Sequence, residues 1–350
     1  MSALATHGGW PGLLGEIVDG RDLTRDMAQA ALAEILAGEA TPAQVAGLIV
    51  GLRIKGESTE ELTGLASAMM AAAEPLTVPA DAIDIVGTGG SGHRRAHALN
   101  ISTMACFVAA AAGATVCKHG NRRASSTSGA FDFLEAIGVG VELTPAQLET
   151  CVARHRLGFA FARTFHPSMR FVGPVRAELG IPTVFNVLGP LANPGRVRRQ
   201  VVGTATEELG AKMAQALQNL GSERAWVVTG HEGLDELTTT GPAVVFAVEP
   251  EGIERITIEA TDVGLDPVAS LDELVGGGPE ENARLFRAIL AGEESGPRRD
   301  IVLLNAAAGL LVGGKVDDLA AGVESAAAAL DDGRAAEKLA DLAAYSASVA

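Results

Sequence analysis

Short apolar runs alternate with longer helical segments through most of this chain. The runs lie at 82–86, 115–118, 159–162, 200–203, 224–229 and 301–305. Each has the length of a buried strand, and most are followed by residues with helical spacing. Strands that alternate with helices predict an α/β fold, with a mostly parallel central sheet flanked by helices. Ligands of such sheets bind at the carboxyl ends of the strands.

The first 75 residues follow a helical pattern instead. Thr24 is a candidate N-cap and Gly38 a candidate stop for one helix, and Thr41-Pro42 opens the next. A third helix is predicted over 60–73, before a linker at 75–79. This pattern predicts a small helical domain.

The net charge of −16 argues against nonspecific binding to nucleic acid or to an anionic membrane. The cations nevertheless gather in the middle third of the sequence, at Arg94, Arg95, Lys118, Arg122, Arg123, Arg163, Arg170, Arg176, Arg196, Arg198 and Arg199. An acidic protein that concentrates its cations in one region is suited to an anionic ligand. The alternative is that these arginines form ordinary surface ion pairs.

The cysteines and the apolar segments indicate the compartment in which the protein is found. The three cysteines form no CxxC pair, and Cys106 and Cys117 lie among alanines and valines, so we expect them to be buried. We find no signal-peptide pattern, and the apolar run 104–116 is too short to span a bilayer. These features predict a soluble cytoplasmic protein.

Two polar segments follow the first two predicted strands and carry the clearest chemical signal. The first contains Gly87-Thr88-Gly89-Gly90 and then Asn100-Ile101-Ser102-Thr103, and the second contains Lys118-His119-Gly120-Asn121-Arg122 and then Ser125-Ser126. Glycine lets backbone N–H groups approach phosphate oxygens, a helix N-terminus favours anions, and cations offset the charge. The pattern predicts a ligand with several phosphates. Capping of a helix by Asn100 or Ser102 is the alternative for the first segment, and His119 could bond only to backbone.

Asp235 and Glu236 follow the apolar strand predicted at 224–229. A ligand with several phosphates usually arrives with Mg²⁺, which takes one or two carboxylates and keeps several waters. These two residues are therefore the best Mg²⁺ ligands that the sequence offers. An ordinary solvent-exposed loop is the alternative.

Arg176 is predicted to lie on a helix in a region rich in Pro, Asn and Arg that extends from His166 to Pro194. A guanidinium can hold a carboxylate through two parallel hydrogen bonds. The alternative is that Arg176 ties its helix to a neighbouring loop.

Taken together, these motifs resemble those of the anthranilate phosphoribosyltransferases. The most specific block is Lys118 to Arg122 with Ser125-Ser126 and Ser128-Gly129. Gly-Leu-Asp-Glu at 233–236 and Phe-Asn-x-Leu-Gly-Pro-Leu-x-Asn-Pro at 185–194 support it. The similarity covers nearly the whole chain.

The resemblance implies transfer of the phosphoribosyl group of 5-phosphoribosyl 1-pyrophosphate (PRPP) to the amine of anthranilate, a step of tryptophan biosynthesis that releases pyrophosphate. It implies a helical domain at 10–75, with part of 165–195 packed on it, and an α/β domain at 80–345 that binds PRPP. It also implies an active site between the domains, dimerisation through the helical part, and Mg²⁺ as cofactor.

Carried over by position, the resemblance implies metal ligands at Ser102, Asp235 and Glu236 and catalytic roles for Lys118 and Asn121, with Arg176 on the anthranilate carboxylate. The candidate substrate-binding residues are Gly87, Thr88, Gly89, Gly90, Ser91, Asn100, Ile101, Ser102, Thr103, Lys118, His119, Gly120, Asn121, Arg122, Ser125, Ser126, Ala130, His166 and Arg176.

The sequence departs from the family pattern in the loop after Gly90. Ser91 stands where the family has Asp, Ala98 where it usually has Thr, and the 91–99 loop is about three residues longer than usual. We therefore expect Arg94 or Arg95 to contact the pyrophosphate and to compensate for a lost contact.

Three other functions remain compatible with the sequence. The first is transfer to another aromatic acceptor, and the second is a pyrimidine nucleoside phosphorylase of the same architecture, which would not need Asp235 and Glu236 for Mg²⁺. The third is a non-catalytic protein that retains the phosphate site.

Overall fold

The computed structural model describes residues 3–89, 99–122 and 127–349. The candidate residues Gly90, Ser91, Ser125 and Ser126, and the loop arginines Arg94 and Arg95, lie outside these ranges. Ala98 lies outside them as well.

Seven strands and fifteen α-helices form the described part of the chain. The strands are β1 (Ala82–Gly87), β2 (Thr115–Gly120), β3 (Leu157–Phe161), β4 (Arg199–Gly203), β5 (Arg224–Thr229), β6 (Ala243–Glu249) and β7 (Gly252–Ile258). The helices are α1 (Gly9–Val18), α2 (Arg25–Ala37), α3 (Pro42–Lys55), α4 (Thr59–Ala71), α5 (Ile101–Ala111), α6 (Ala130–Ala136), α7 (Pro145–His155), α8 (Ala162–Phe165), α9 (Gly173–Leu179), α10 (Phe185–Leu188), α11 (Glu207–Asn219), α12 (Pro279–Leu290), α13 (Pro297–Val312), α14 (Leu319–Asp331) and α15 (Arg334–Val349).

One sheet holds all the described strands, in the order β3-β2-β1-β4-β5-β6-β7. The strands β1 to β5 are parallel, as the alternating pattern predicted, and β6 and β7 add an antiparallel hairpin at one edge. The sequence analysis did not predict this hairpin. The parallel arrangement brings the ends of β1, β2 and β4 to one edge of the sheet.

The prediction of a strand at 301–305 is wrong, because these residues lie inside α13. Pro297 occupies the first turn of this helix, where its missing N–H costs nothing, and Asp300 favours the positive end of the helix dipole. The helix packs on the sheet and against α5 and α14, so its apolar residues are buried on every side. A run that is buried on every side has no period from which helix and strand can be distinguished.

The predicted boundaries at Thr24, Gly38 and Thr41 are confirmed, and the helix predicted over 60–73 is Thr59–Ala71. The Thr24 hydroxyl accepts a hydrogen bond from the Met27 N–H at 3.3 Å, Gly38 ends α2 with a φ of 78°, and Thr41 begins α3 with a capping box. These helices share one hydrophobic core with α11 and one face of the sheet. Val172, Val175, Val184, Phe185 and Leu188 belong to the same core. The segment 172–188 is therefore packed on the helical part.

The opposite face of the sheet carries the larger core, which contains most of the buried residues of α5 and α13. Cys106 and Cys117 are fully buried in it, as predicted, and burial raises the pKa of the Cys106 thiol to about 12. Across residues 3–89, 99–122 and 127–349, none of the helices has the length and apolar character that crossing a bilayer requires.

Candidate active site

One cavity of about 1100 Å³ lies at the carboxyl edge of the sheet. We define its phosphate half as residues 87–89, 99–103, 118–122 and 234–236, and its acceptor half as residues 162–176 and 185–190. The candidate residues that line the cavity are Gly87, Thr88, Gly89, Asn100, Ile101, Ser102, Thr103, Lys118, His119, Gly120, Asn121, Arg122, Ala130, His166, Arg176, Asp235 and Glu236. The structure thus brings together all the predicted site residues that it describes.

Lys118 is the buried cation of the phosphate half. Its side chain extends from the end of β2, and its Nζ donates to the Ile85 carbonyl and, at 3.3 Å, to the Ser102 hydroxyl. Only 2% of this residue is exposed, and it forms no ion pair with a carboxylate of the described residues. A buried ammonium without a paired anion is suited to an anionic ligand.

The N-terminus of α5 faces the same cavity. Asn100 occupies the N-cap position, but its side chain does not cap the helix. Its Nδ2 donates to the Ser128 carbonyl at 3.2 Å, and its Oδ1 accepts from the Ser128 hydroxyl at 2.7 Å. The Asn100 side chain therefore does not cap α5. The Ser102 hydroxyl contacts Lys118 instead.

Asp235 and Glu236 lie inside the cavity and not in an exposed loop. Only 9% of Asp235 is exposed, and its Oδ2 accepts from the Gly89 N–H at 2.7 Å. An added Cβ on Gly87 would come within 2.5 Å of the same Oδ2, and one on Gly203 would overlap the Asp235 carbonyl. Glycines at the ends of β1 and β4 thus make the space that the acidic loop occupies.

Burial and the neighbouring charge of Asp235 raise the pKa of Glu236 well above its usual value, although Lys118 opposes the shift. Two carboxylates this close repel each other, and a divalent cation removes that repulsion. Within the described ranges, this site included, no group of three or more His, Cys, Asp or Glu side chains could hold a metal ion. Asp235 and Glu236 fit Mg²⁺, which binds through one or two carboxylates when phosphates and waters complete its shell.

Arg122 and Asn121 end the second polar segment at the rim of the cavity. Arg122 forms two parallel hydrogen bonds with Glu135, at 2.7 and 2.8 Å, and the Asn121 Oδ1 accepts from the Arg122 N–H at 2.8 Å. The charge of Arg122 is therefore already paired, and a phosphate would have to compete with Glu135 for it.

His119 and His166 hold backbone in place. The His119 Nδ1 lies 3.0 Å from the Gly189 carbonyl, and the His166 Nε2 lies 3.0 Å from the Ala192 carbonyl. Burial, His166 and Lys118 lower the pKa of His119 to about 3, although its bond to Gly189 opposes the shift, so this ring is neutral near pH 7. For His119 the structure favours a backbone contact over a contact with phosphate.

Arg176 is the half-buried cation of the acceptor half. Its guanidinium carbon lies 5.5 Å from the centre of the Phe185 ring, and its Nη2 donates a long bond of 3.4 Å to the Asn186 Oδ1. Burial removes part of the water around the Arg176 guanidinium and lowers its pKa. The bond to Asn186 ties α9 to α10, which agrees with the alternative that Arg176 connects its helix to a neighbouring segment. This bond uses only one of the five N–H donors of the guanidinium.

Comparisons with known proteins give the family. The family models "Glycosyl transferase family, helical bundle domain" and "Glycosyl transferase family, a/b domain" match residues 11–73 and 79–336. An anthranilate phosphoribosyltransferase from Rhodopseudomonas palustris is 47% identical over 334 residues, which cover 95% of this chain and 97% of that protein. The chain belongs to the anthranilate phosphoribosyltransferase family.

Solved structures of anthranilate phosphoribosyltransferases share this fold. The enzyme from Thermus thermophilus is 44% identical, with a TM-score of 0.88, and the similarity covers 95% of this chain and 98% of that one. An enzyme from Saccharomyces cerevisiae in complex with PRPP and Mg is 28% identical, with a TM-score of 0.82, and the coverage is 93% and 92%. The same yeast enzyme with 4-fluoroanthranilate is 26% identical, with a TM-score of 0.85, and the coverage is 98% and 99%.

The sequence analysis missed the contact between two buried residues, Asp84 and Asn193, that supports this family site. The Asp84 Oδ2 accepts from the His119 N–H at 3.2 Å and from the Asn193 Nδ2 at 2.8 Å, whereas its Oδ1 has no hydrogen-bond partner among the described residues. Burial raises the pKa of Asp84 to about 6, although the charge of Lys118 opposes the shift. A charged residue inside the otherwise apolar strand β1 was the signal that could have revealed it.

A third missed residue supports the acidic loop. The Asn305 side chain on α13 accepts from the Leu237 N–H at 3.1 Å and donates to the Leu237 carbonyl at 2.9 Å. Leu237 directly follows Glu236, so this buried amide fixes the backbone next to the two carboxylates. No local pattern in the sequence predicts this contact, because 68 residues separate the partners.

Proposed function

We propose that this protein transfers the phosphoribosyl group of PRPP to the amine of anthranilate and releases pyrophosphate. The observation that carries the proposal is the division of one cavity. A buried ammonium, a helix N-terminus and two carboxylates line one half, and a half-buried guanidinium lines the other. The first set suits a magnesium-bound pyrophosphate, and the second suits a carboxylate.

Cleavage of the bond between C1 of the ribose and the pyrophosphate oxygen creates negative charge on the leaving group. Lys118 and the N-terminal N–H groups of α5 would stabilise this charge. Mg²⁺ bound by Asp235, Glu236 and Ser102 would neutralise further charge on the pyrophosphate. The buried position of Lys118 keeps its ammonium in place before the bond breaks.

The amine of anthranilate is nucleophilic in its neutral form, so the reaction requires no strong base and no covalent nucleophile. Arg176 would hold the carboxylate of anthranilate, and Asn121 would orient the ring between the two halves of the cavity. Holding the amine against C1 replaces a bimolecular encounter and supplies a large share of the rate.

The test is release of pyrophosphate from PRPP with Mg²⁺ and anthranilate, followed together with the loss of anthranilate fluorescence. We expect equal amounts of both, and we expect excess chelator to abolish both. Turnover of substituted aminobenzoates but not of anthranilate would assign another acceptor. Binding of PRPP without turnover of any acceptor would contradict the proposal.

We also propose a boundary between the domains in the linker that precedes β1, with a helical domain at 10–75 and an α/β domain at 80–345. The segment 172–188 returns to the helical core, so the acceptor half is attached to the helical domain. The cavity would then lie between the two domains.

A homodimer through the helical domain is a further part of the proposal. Val18 on α1 and Ile54 on α3 are 84% and 82% exposed, and the two helices pack closely where Gly51 meets Ile17. Such exposed side chains on neighbouring helices suit a second copy of the chain. Light scattering should show a dimer that Val18→Asp with Ile54→Asp converts to a monomer, and a monomeric unmodified protein would contradict this part.

A further inference from the structure

Asn282, in the first turn of α12, is a polar residue with no exposed surface. Its Oδ1 accepts from the Gly277 N–H at 2.7 Å, and its Nδ2 donates to the Asn100 Oδ1 at 2.8 Å. A buried amide is retained only where its hydrogen bonds are made, and both ends of this amide are used. One end thus holds the loop before α12, and the other holds a candidate PRPP ligand.

The bonds to Asn282 and Ser128 fix which way the Asn100 amide points. The Asn100 Oδ1 faces two donors, the Asn282 Nδ2 and the Ser128 hydroxyl, and the Asn100 Nδ2 donates to the Ser128 carbonyl. Rotation of this amide by half a turn would bring an N–H group against the Asn282 Nδ2 and the oxygen against the Ser128 carbonyl. Asn100 begins α5 and Ser128 follows the second polar segment, so the three residues join the two parts of the phosphate half.

Backbone contacts bring the loop before α12 against the same place. An added Cβ on Gly276 would overlap the Asn282 Oδ1 and lie 2.9 Å from the Leu99 Cα, and the Thr127 hydroxyl donates to the Gly277 carbonyl at 3.4 Å. Leu271, Asp272, Leu274 and Val275, from the same loop, line the cavity. Only glycine at 276 permits so close an approach.

We propose that Asn282 is a positioning residue for PRPP: its amide orients Asn100 and holds the start of α5 against Ser128. The inference rests on the proposed function, because it takes PRPP as the ligand of the phosphate half. Without the Asn282 amide, Asn100 loses one of the three hydrogen bonds that the described residues give its side chain, so its direction is less firmly fixed. The acceptor half shares none of these hydrogen bonds, so binding of anthranilate does not depend on Asn282.

The test compares Asn282→Ala with the unmodified enzyme by calorimetric titration of PRPP with Mg²⁺, in the absence of acceptor. We expect binding about tenfold weaker, the effect of losing about one buried hydrogen bond. In steady-state assays the KM for PRPP should rise by the same factor, whereas kcat and the KM for anthranilate stay within about twofold. Arg284→Ala, on the exposed side of the same helix, is the matched control and should change none of these values.

A second variant separates positioning from folding. Asn282→Asp retains the side-chain shape and the acceptor for the Gly277 N–H, but it places an oxygen against the Asn100 Oδ1. It should weaken PRPP binding at least as much as Asn282→Ala.

Three results would overturn the inference, and they differ in what else they affect. Unchanged PRPP binding in both folded variants would contradict the positioning role of Asn282 but would leave the proposed function intact. An equal loss for PRPP and anthranilate means that Asn282 serves the fold in general and not PRPP. Absence of PRPP binding by the unmodified protein removes the proposed function as well.

Discussion

The phosphate half of the cavity is built on the ends of strands, whereas the acceptor half is built on helices of three to seven residues. Lys118 and Gly87 lie within β2 and β1 near their carboxyl ends, where Lys118 pairs with Phe159 of β3 and Gly87 with Gly203 of β4. Arg176 and His166 are positioned by the packing of short helices against the helical core. The first half depends on backbone hydrogen bonds and the second on side-chain packing.

The difference shows how the two halves can change independently. A strand end in the middle of a parallel sheet cannot move without breaking the sheet, so the phosphate half tolerates few changes of backbone. Short helices have few internal hydrogen bonds, so the acceptor half can adapt its shape at a smaller cost. We expect substitutions in the phosphate half to affect catalysis and those in the acceptor half to affect mainly the choice and affinity of the acceptor.

The largest expected effect is that of Glu236→Gln in the phosphate half. Removal of one carboxylate should lower kcat/KM about a thousandfold, because the charge that draws Mg²⁺ to the pyrophosphate is lost. The same change should raise the concentration of Mg²⁺ needed for half-maximal activity. Steady-state assays over a range of Mg²⁺ concentrations measure both. An unchanged Mg²⁺ requirement would show that Glu236 is not a metal ligand.

The next largest effect is expected from Gly203→Ala, which should lower kcat/KM about a hundredfold and also lower the melting temperature. The added methyl group would overlap the Asp235 carbonyl, so the acidic loop must move. Gly252→Ala is the matched control, since Gly252 also lies in a strand of this sheet and has open space around its Cα. Full activity of the Gly203 variant would show that the position of the acidic loop does not matter.

In the acceptor half, Arg176→Lys should raise the KM for anthranilate about thirtyfold and leave the KM for PRPP unchanged. A lysine keeps the charge but cannot form two parallel bonds with a carboxylate. Arg198→Lys, at a surface arginine paired with Glu223, is the control. Initial rates with each substrate varied in turn would reveal the asymmetry. An equal rise in both KM values would contradict the division into two halves.

The smallest expected effect on catalysis is that of Asp84→Asn below the site. One side-chain oxygen can still accept from His119 and Asn193, so we expect kcat/KM to change less than about fivefold. Stability should change with pH, because the pKa of Asp84 is about 6 in the folded protein and its usual value is 3.8. The folded state therefore keeps this proton longer than the unfolded state.

The stability that Asp84 contributes is fully present below about pH 4 and is lost as pH rises to about 6. The loss is about 3 kcal/mol for a shift of about two pKa units. The variant should therefore gain unfolding free energy relative to the unmodified protein between pH 4.5 and 7.5. Denaturant titrations of both proteins at the two pH values measure this gain. A constant difference across that range would mean that Asp84 is ionised at both.

The sequence predicted most of the fold but not the roles of 301–305 and 243–258. The strands β1 to β5 are short, apolar and followed by glycine or polar residues, so their pattern is local and visible. The run at 301–305 is apolar because it is buried, as a buried strand would be. Its flanking sequence and its packing against other elements determine that it is a helix. The β6–β7 hairpin is half exposed at the sheet edge, and its pattern is correspondingly weak.

For the site, local motifs are enough to predict which residues carry the chemistry. Lys118, Asp235, Glu236 and Arg176 stand in motifs whose composition is unusual for a loop, and the structure places them in one cavity. The pairing of Arg122 with Glu135 and the bond between Asn282 and Asn100 depend instead on how distant segments pack. Hydrogen bonds between residues that are far apart in the chain leave no local pattern. Motifs thus identify the groups that touch a ligand, whereas the packing of distant segments determines how firmly each group is held.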